Sequence, residues 1–433
     1  MLAIVLFVVP GVAAAGNDDQ VVAGTDVALT GGAVVANVHT GGALWYNPAG
    51  VARLNGRSLT FSGALIDYSR VRAPGTLSIE SGEQSGGAYD ALHVVPRAIA
   101  FAMAPRPNLR WGVGLFYSRS VSRFIQDSVS TAAGASLPAE FYASSNARKI
   151  LYHMSSAVAW KKSKKLLVGG GLDLVIASQR VSQFISGSYA QGQGGALSFT
   201  ESQSNAGAGL QWKAGVQWAP VKQLRIGWMV ATPSYLFFLS EKSTTTQTGS
   251  PPSGPPAFSG SQNDSLNGAW AGVEQGLTRF GTAYLGSWGW VEGDVIVAFP
   301  LRTPQLDINW RTTTDVHVGG VFNVTDRLQL GCGFFTDFSA DTTPAQFADT
   351  RFDSYGLTVG ADFANRAESS ENGKDGFYIA LAAAFRYAHG TGTLGGVTFP
   401  SAYPNPPTQP AQINLVGATV DEFSLNVAVK AAF

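Results

Sequence analysis

The chain has 433 residues, with 29 Lys and Arg balancing 29 Asp and Glu, 13% charged residues, 45% hydrophobic residues and 51 glycines. A soluble protein of this length would carry about 25% charged residues, so something other than water faces much of the surface. No apolar run reaches the roughly 20 residues of a membrane helix, which argues against a helical membrane protein; a barrel strand needs only about 9–11 residues with a half-apolar pattern.

Residues 1–15 (MLAIVLFVVPGVAAA) are apolar and end in small residues, with Ala13 and Ala15 placed for cleavage before Gly16. They read as a secretory signal peptide, although a positively charged n-region is lacking, and imply export. Residues 16–55 do not resemble a strand; small residues dominate, and glycines pair at Gly31-Gly32 and Gly41-Gly42. A segment of roughly 40 residues cannot bury enough surface to fold alone, so it is expected to pack inside the barrel formed by the rest of the chain. Asn47 and Pro48 supply a turn, Pro by fixing φ and Asn by bonding nearby backbone.

From residue 56 the chain offers about fourteen alternating segments: 57–69, 94–104, 110–125, 150–160, 166–185, 205–218, 224–238, 277–286, 289–299, 314–324, 328–337, 354–363, 377–387 and 420–433. Short connections at 105–109, 161–165, 219–223, 287–288 and 325–327 alternate with long, polar ones such as 126–149, 239–276 and 388–419. Short connections read as periplasmic turns and long ones as external loops; only 364–376 is longer than that rule predicts. A soluble β-sandwich shares the strand spacing but has no reason to segregate long loops to one end.

The faces of these segments agree. Leu210, Trp212, Ala214, Val216 and Trp218 oppose Gln211, Lys213, Gly215 and Gln217, and Val291, Val295, Val297 and Phe299 oppose Trp290, Glu292 and Asp294. Placing those carboxylates in lipid would cost several kcal/mol, so they point inward. Leu357, Val359, Ala361 and Phe363 oppose Thr358 and Asp362, whereas Arg97 beside Ile99 and Phe101 leaves the second segment without a face assignment. Trp111, Trp160, Trp218 and Trp228 near the short turns suggest an interfacial aromatic girdle. Cys332 is the lone cysteine, without a partner for a disulfide, and falls on an outward face. In the last segment Phe423, Leu425, Val427, Val429, Ala431 and Phe433 form an apolar row that ends on an aromatic, as barrel-closing strands commonly do.

A leader, a Gly/Ala-rich segment carrying Asn47-Pro48-Ala49-Gly50-Val51-Ala52, and about fourteen strands ending in Phe433 together resemble the FadL family of outer-membrane transporters for long-chain fatty acids and aromatic hydrocarbons. The resemblance covers essentially the whole mature chain. It implies an all-β transmembrane antiparallel barrel (56–433) in the bacterial outer membrane, with residues 16–55 as a plug in its lumen and Asn47, Pro48 and Ala49 as the plug motif. It further implies capture of hydrophobic substrate by external loops, a kinked third strand (110–125) that opens a lateral exit, and a monomer. The divergent loops and Trp45-Tyr46 depart from the pattern and leave the substrate's identity open.

Aromatic and aliphatic residues in two central connections, Tyr189, Leu197 and Phe199 in one and Phe258, Leu266, Trp270 and Val273 in the other, are the candidate capture surface; pinning the loops to one another explains them equally well. Gly112 and Gly114 permit a bend in the third strand, the candidate lateral-exit strand. Lys213, Arg225 or Arg279 could hold a carboxylate headgroup, though structural pairing with Glu292 or Asp294 is the preferred reading. The five histidines lack metal-ligand spacing and no Gly-x-Ser-x-Gly element is present, so no cofactor, metal or catalytic residue is expected; His153 or His317 beside a serine would be needed for a lipid hydrolase. The expected partners are a hydrophobic small molecule and outer-membrane lipids including lipopolysaccharide, with no nucleic acid. The expected function is passive, stepwise transport of that molecule through the plugged barrel, with a polar-solute porin and the hydrolase as alternatives.

Overall fold

The computed structural model describes residues 22–433 other than 55, 132–138, 190–194, 251–257, 269–270, 305–307, 343–346, 348–349, 366–377 and 400–411. The leader expected over residues 1–15 lies outside the described residues. Six long strands come first: β1 (Ser58–Ile79), β2 (Gln84–Arg106), β3 (Leu109–Ser130), β4 (Ala139–Lys161), β5 (Leu166–Tyr189) and β6 (Gly195–Val221). The seventh crossing is split into β7 (Leu224–Ala231) and β8 (Ser234–Ser250), and the eighth into β9 (Phe258–Gly268), β10 (Ala271–Glu274) and β11 (Leu277–Gly286). Next come β12 (Gly289–Ala298), a small hairpin of β13 (Leu301–Thr303) and β14 (Ile308–Trp310), then β15 (Thr313–Asn323), β16 (Leu328–Asp337), β17 (Thr350–Asn365), β18 (Tyr378–Phe399) and β19 (Gln412–Ala432).

Seventeen of these strands form one sheet, which the split crossings reduce to a closed antiparallel barrel of 14 strands. Closure is made by β1 and β19, in register from Ser58↔Ala432 to Arg72↔Thr419 apart from one bulge, and Arg57 and Phe433 exchange backbone hydrogen bonds of 3.0 and 2.9 Å. The alternating row that ends in Phe433 is thus half of the seam. Outward side chains are apolar and exposed, among them Trp160, Trp212, Trp218, Trp228, Leu357, Val359 and Phe363, while Gln211, Lys213, Gln217, Glu292, Asp294 and Asp362 point inward and are buried. Cys332 is exposed on the outer face.

Every strand expected from the sequence is present, yet the connections 126–149, 239–276 and 388–419, expected as loops, are largely strand. β8 and β9 stay paired from Leu239↔Gly268 to Gly249↔Phe258, and β18 and β19 as far as Thr398↔Gln412. Beyond the bilayer a strand needs no lipid-facing row, so Ser- and Thr-rich stretches such as 240–250 carry the ladder without the alternation that reveals it. The second strand resisted face assignment because its register against β1 shifts between Ser62↔Ala98 and Gly63↔Pro96, leaving Arg97 as a bulge. The bulge turns Arg97 inward beside Ala98, where its guanidinium reaches Asp67 at 2.6 Å.

Residues 22–54 fill the lower lumen as helix α1 (Thr25–Thr30), helix α2 (Ala43–Tyr46) and a 3-10 segment, Pro48–Arg53. Asp26 organises the plug, accepting from Thr40 Oγ1 at 2.7 Å and from the His39 amide at 3.1 Å. Gly31, at φ 63°, ends α1 in the left-handed conformation that glycine adopts without strain. The barrel wall under α1 is stripped of side chains: a Cβ on Gly319 would lie 2.4 Å from the Thr30 carbonyl oxygen, and one on Gly333 2.2 Å from the same atom. Gly319→Val should therefore displace α1 while leaving the barrel ladder intact. The expected result is higher ion conductance in planar bilayers than for the unaltered protein, with the heat-dependent gel mobility of a folded barrel retained.

Candidate functional site

Asn47 locks the plug to the wall. Its Nδ2 donates to the carbonyls of Val35 (2.8 Å) and of Val216 on β6 (3.1 Å), while its Oδ1 accepts from the Ala49 amide at 3.1 Å. Pro48 and Ala49 begin the 3-10 segment against β5, where a Cβ on Gly169 would lie 2.5 Å from the Ala49 nitrogen. On the opposite wall Asp294 Oδ2 accepts from the amides of Val34 (2.7 Å) and Val35 (3.1 Å), and Glu292 Oε1 from that of Ala36 (2.5 Å). These carboxylates face inward because they satisfy plug backbone that has no secondary structure to pair with.

The wall is interrupted between β2 and β3. Their ladder runs from Arg106↔Leu109 to Ala98↔Phe116, and among the described residues it goes no further, although β2 keeps β1 as a partner to Gln84 and β3 keeps β4 to Ser130. Pro96, which has no amide to donate, and the Arg97 bulge lie where pairing stops on β2; a register shift between Tyr117 and Arg119 marks the same level on β3. Farther out the two strands meet again through side chains, with Ser85 Oγ donating to Asp127 and Tyr89 Oη to the same carboxylate at 3.3 Å. Burial pushes the Tyr89 hydroxyl up to about 12, so it stays a donor. Leu92, Val94 and Phe124, all exposed, continue the apolar exterior along the gap. Gly112 and Gly114, placed on the lateral-exit strand from sequence, lie in the paired part of β3; they make room for Leu44 of the plug and for the Phe116 ring.

Inside the gap sits a buried charged group. His153 Nδ1 is 3.1 Å from Asp173, its Nε2 is 2.9 Å from Glu274, and Lys213 Nζ is 2.5 Å from Asp173. Ser234 and Ser118 both donate to Glu274, the latter from the β3 bulge at 3.4 Å. Trp45 of the plug caps the group, 4.0 Å below the Lys213 ammonium and edge-on to His153 at 4.9 Å. Lys213 is thus matched by Asp173, Arg225 donates to Asn37, and Arg279 lies over the Tyr46 ring, which assigns all three to the architecture of the lumen. The Nε2 of His153, which a hydrolase would direct at a serine hydroxyl, faces a carboxylate.

Above this level the lumen is apolar. Phe141 of β4 stacks on Phe399 of β18 at 4.2 Å and meets Tyr189 edge-on at 5.4 Å; Ile125, Val129, Ile185, Phe352 and Val420 bury around them, and Phe199 packs at the margin. The tip of the β1–β2 hairpin roofs the cluster, pairing in parallel with β18 at Leu77↔Val397 and Ile79↔Phe399. Of the expected capture residues, Tyr189 and Phe199 meet here. Val273 is buried apart from them with Leu236 and Leu239. The backbones of Leu197, Phe258 and Leu266 are strand, paired with Gly187, Gly249 and Glu241. Their side chains, and Trp270 altogether, lie outside the described residues.

A family model described as outer membrane protein transport protein (OMPP1/FadL/TodX) matches residues 7–235. The chain belongs to this family. The barrel is similar to that of a Pseudomonas aeruginosa FadL homologue (12% identity, 95% of this chain and 99% of that one, TM-score 0.62). It is likewise similar to the CymD monoaromatic hydrocarbon channel (12%, 96% and 99%, TM-score 0.57) and the Pseudomonas putida toluene transporter TodX (14%, 94% and 97%, TM-score 0.53). No curated protein matches the chain. At such identities the solved structures establish the common fold, a closed antiparallel barrel, while the family match makes it an outer-membrane transport protein.

Two parts of the site in this FadL-type chain escaped sequence reasoning. Phe141, Phe352 and Phe399 sit in stretches without clean alternation, and Glu274, a single acid between Val273 and Gln275, carries no spacing signal. Pro96 beside Arg97 was the available sign of the gap: a proline and a charge within an otherwise apolar strand.

Asn47→Ala leaves the Ala49 amide of the buried turn without its partner, at about 1–3 kcal/mol, and removes one of the two donors to the Val35 carbonyl. Urea unfolding in lipid vesicles, followed by Trp45 fluorescence, should show the plug released before the barrel. His153→Ala takes the imidazole partner from Glu274, which keeps the Ser234 and Ser118 hydroxyls, while Asp173 keeps Lys213; it should destabilise by about 3–5 kcal/mol in the same assay, with partial recovery when Glu274→Gln is added.

Proposed function

We propose that the protein carries hydrophobic small molecules, long-chain fatty acids or hydrocarbons, inward across the outer membrane by passive, stepwise binding, entering at the apolar mouth and leaving sideways between β2 and β3. The observation that carries this reading is the lost ladder beyond Ala98↔Phe116, bordered outside by Leu92, Val94 and Phe124 and inside by the mouth cluster through Ile125. Unpaired strand backbone facing hydrocarbon is costly, so an interruption at this depth calls for a compensating use. A cargo that dissolves in hydrocarbon gains from leaving there, because it never re-enters bulk water.

The capture surface in this reading comprises Tyr189 and Phe199, extended by Phe141 and Phe399; Leu197, Phe258, Leu266, Trp270 and Val273 belong to the same external half. The plug, anchored by Asn47, Pro48 and Ala49, closes the straight path and diverts cargo to the wall. A polar porin would need that path open, whereas most plug side chains are buried against the lumen. In this reading the protein works as a monomer without a cofactor.

Val94 and Ser120 would face one another if the β2–β3 ladder continued in its register. Cysteines at both positions, in a Cys332→Ser background, bridged by a short bis-thiol reagent, should cut uptake of radiolabelled hexadecanoate and toluene to the level of cells lacking the protein. Uptake unchanged after complete cross-linking would overturn the lateral route.

A further inference from the structure

Three of four neighbouring strands bring basic side chains to one register row of the outer wall. Arg148 of β4 is the register partner of Arg180 of β5, Arg180 of Ser204 on β6, and Ser204 of Lys242 on β8. All four side chains are exposed, on the same alternate positions as Met154 and Trp160 of β4 and Trp212 of β6, and so on the lipid side of the barrel. Arg180 lies about fourteen residues along β5 from the short turn; at about 3.3 Å per residue and a tilt of about 45° this is roughly 33 Å, past an apolar band of about 25 Å. Arg180 therefore stands at the headgroup level of the outer leaflet, not in hydrocarbon, and the tilt of the strands carries the row on outward to Lys242.

These charges are uncompensated. Like charges directly opposite each other in a sheet repel, yet among the described residues no ion pair involves Arg148, Arg180 or Lys242. The nearest acids on these strands, Glu201 and Glu241, alternate to the other face, where Glu241 accepts from Gln203 at 2.7 Å. The opposite wall differs: at the corresponding height Arg70 faces Asp90 at 3.6 Å and Arg72 faces Asp421 at 2.6 Å. Among the described residues, the cations of β1 are thus paired where those of β4, β5 and β8 are not. Hydroxyls at Ser178, Ser202 and Ser240 surround the cations, and the apolar belt begins below at Ile176 and Phe238.

We propose that this row is a docking patch for the phosphorylated saccharide headgroup of an outer-leaflet glycolipid. Arg148 and Arg180 together clamp one phosphate, Lys242 takes a second, and the acyl chains lie along the belt beneath. The row spans three interstrand steps of about 4.8 Å, roughly 14 Å, which accommodates a headgroup bearing more than one phosphate. Arg is suited to the paired position because its planar fork binds phosphate oxygens in a bidentate manner. The patch anchors the wall of β4 to β8 and takes no part in moving cargo.

The test uses the full-length protein in detergent, titrated with bisphosphorylated lipid A, dephosphorylated lipid A or inorganic phosphate. Arg148→Gln/Arg180→Gln/Lys242→Gln should weaken lipid A binding about a hundredfold, each cation contributing about fivefold. Arg70→Gln/Arg72→Gln on the opposite wall should leave it unchanged. Arg180→Gln alone should raise the melting temperature in lipid-free detergent, by removing the repulsion, while shrinking the stabilisation that lipid A confers; loss of a merely structural arginine would not give those opposite signs. Equal lipid A binding by the triple variant, or inorganic phosphate or dephosphorylated lipid A stabilising as well as lipid A, would overturn the proposal. Hexadecanoate uptake by the triple variant should stay normal, which separates failure here from failure of the transport reading.

Discussion

Hydrocarbon offers no hydrogen bonds, so every amide and carbonyl that crosses it must find a partner within the chain. This constraint selects a closed barrel over any open sheet, and the β1–β19 seam answers it by joining the two ends of the ladder. It also gives meaning to the one long interruption described, between β2 and β3. Proline at 96 removes a donor that the missing partner would otherwise leave orphaned, and the bulge at Arg97 turns the strand as pairing stops. The interruption is therefore built into the sequence at the place where it occurs.

The lumen meets the same demand by another route. A plug with two short helices and a 3-10 segment has many backbone groups outside regular structure, and wall side chains supply partners: Asp294 and Glu292 for amides and Gln217, beside the plug's own Asn47, for the Val35 carbonyl. Inward polarity, which might suggest a water-filled pore, here serves backbone satisfaction. The buried group of His153, Asp173, Lys213 and Glu274 lies where plug, gap and wall meet, with the Lys213 ammonium and the His153 imidazole facing carboxylates and Trp45 closing it. Such buried networks contribute definition of position more than net stability.

How much of this the sequence disclosed follows from where lipid touches the chain. Within the bilayer each outward row is apolar, and segments such as 205–218 and 289–299 could be read with their faces. Above it, alternation disappears although pairing continues, so 239–276 looked like loop. Residues 22–54 are marked in the sequence by small residues and a turn at Asn47-Pro48, but their contacts are not, because Val35 meets Asp294 some 260 residues away only through closure of the wall. The third-strand glycines lie in the paired part of β3 as spacers for Leu44 and Phe116, and the ladder ends beyond them, beside a proline on the neighbouring strand.

The hydrogen bonds between Arg57 and Phe433 have a consequence in time. Neighbours at the seam are separated by nearly the whole polypeptide, so the wall has no finished form until the final strand has been synthesised and delivered. Until then both margins are raw, and each is a template for the wrong partner. Assembly of this molecule must be guarded from first strand to last, and a chain that stops short of β19 would be a hazard to its neighbours more than a weaker version of itself.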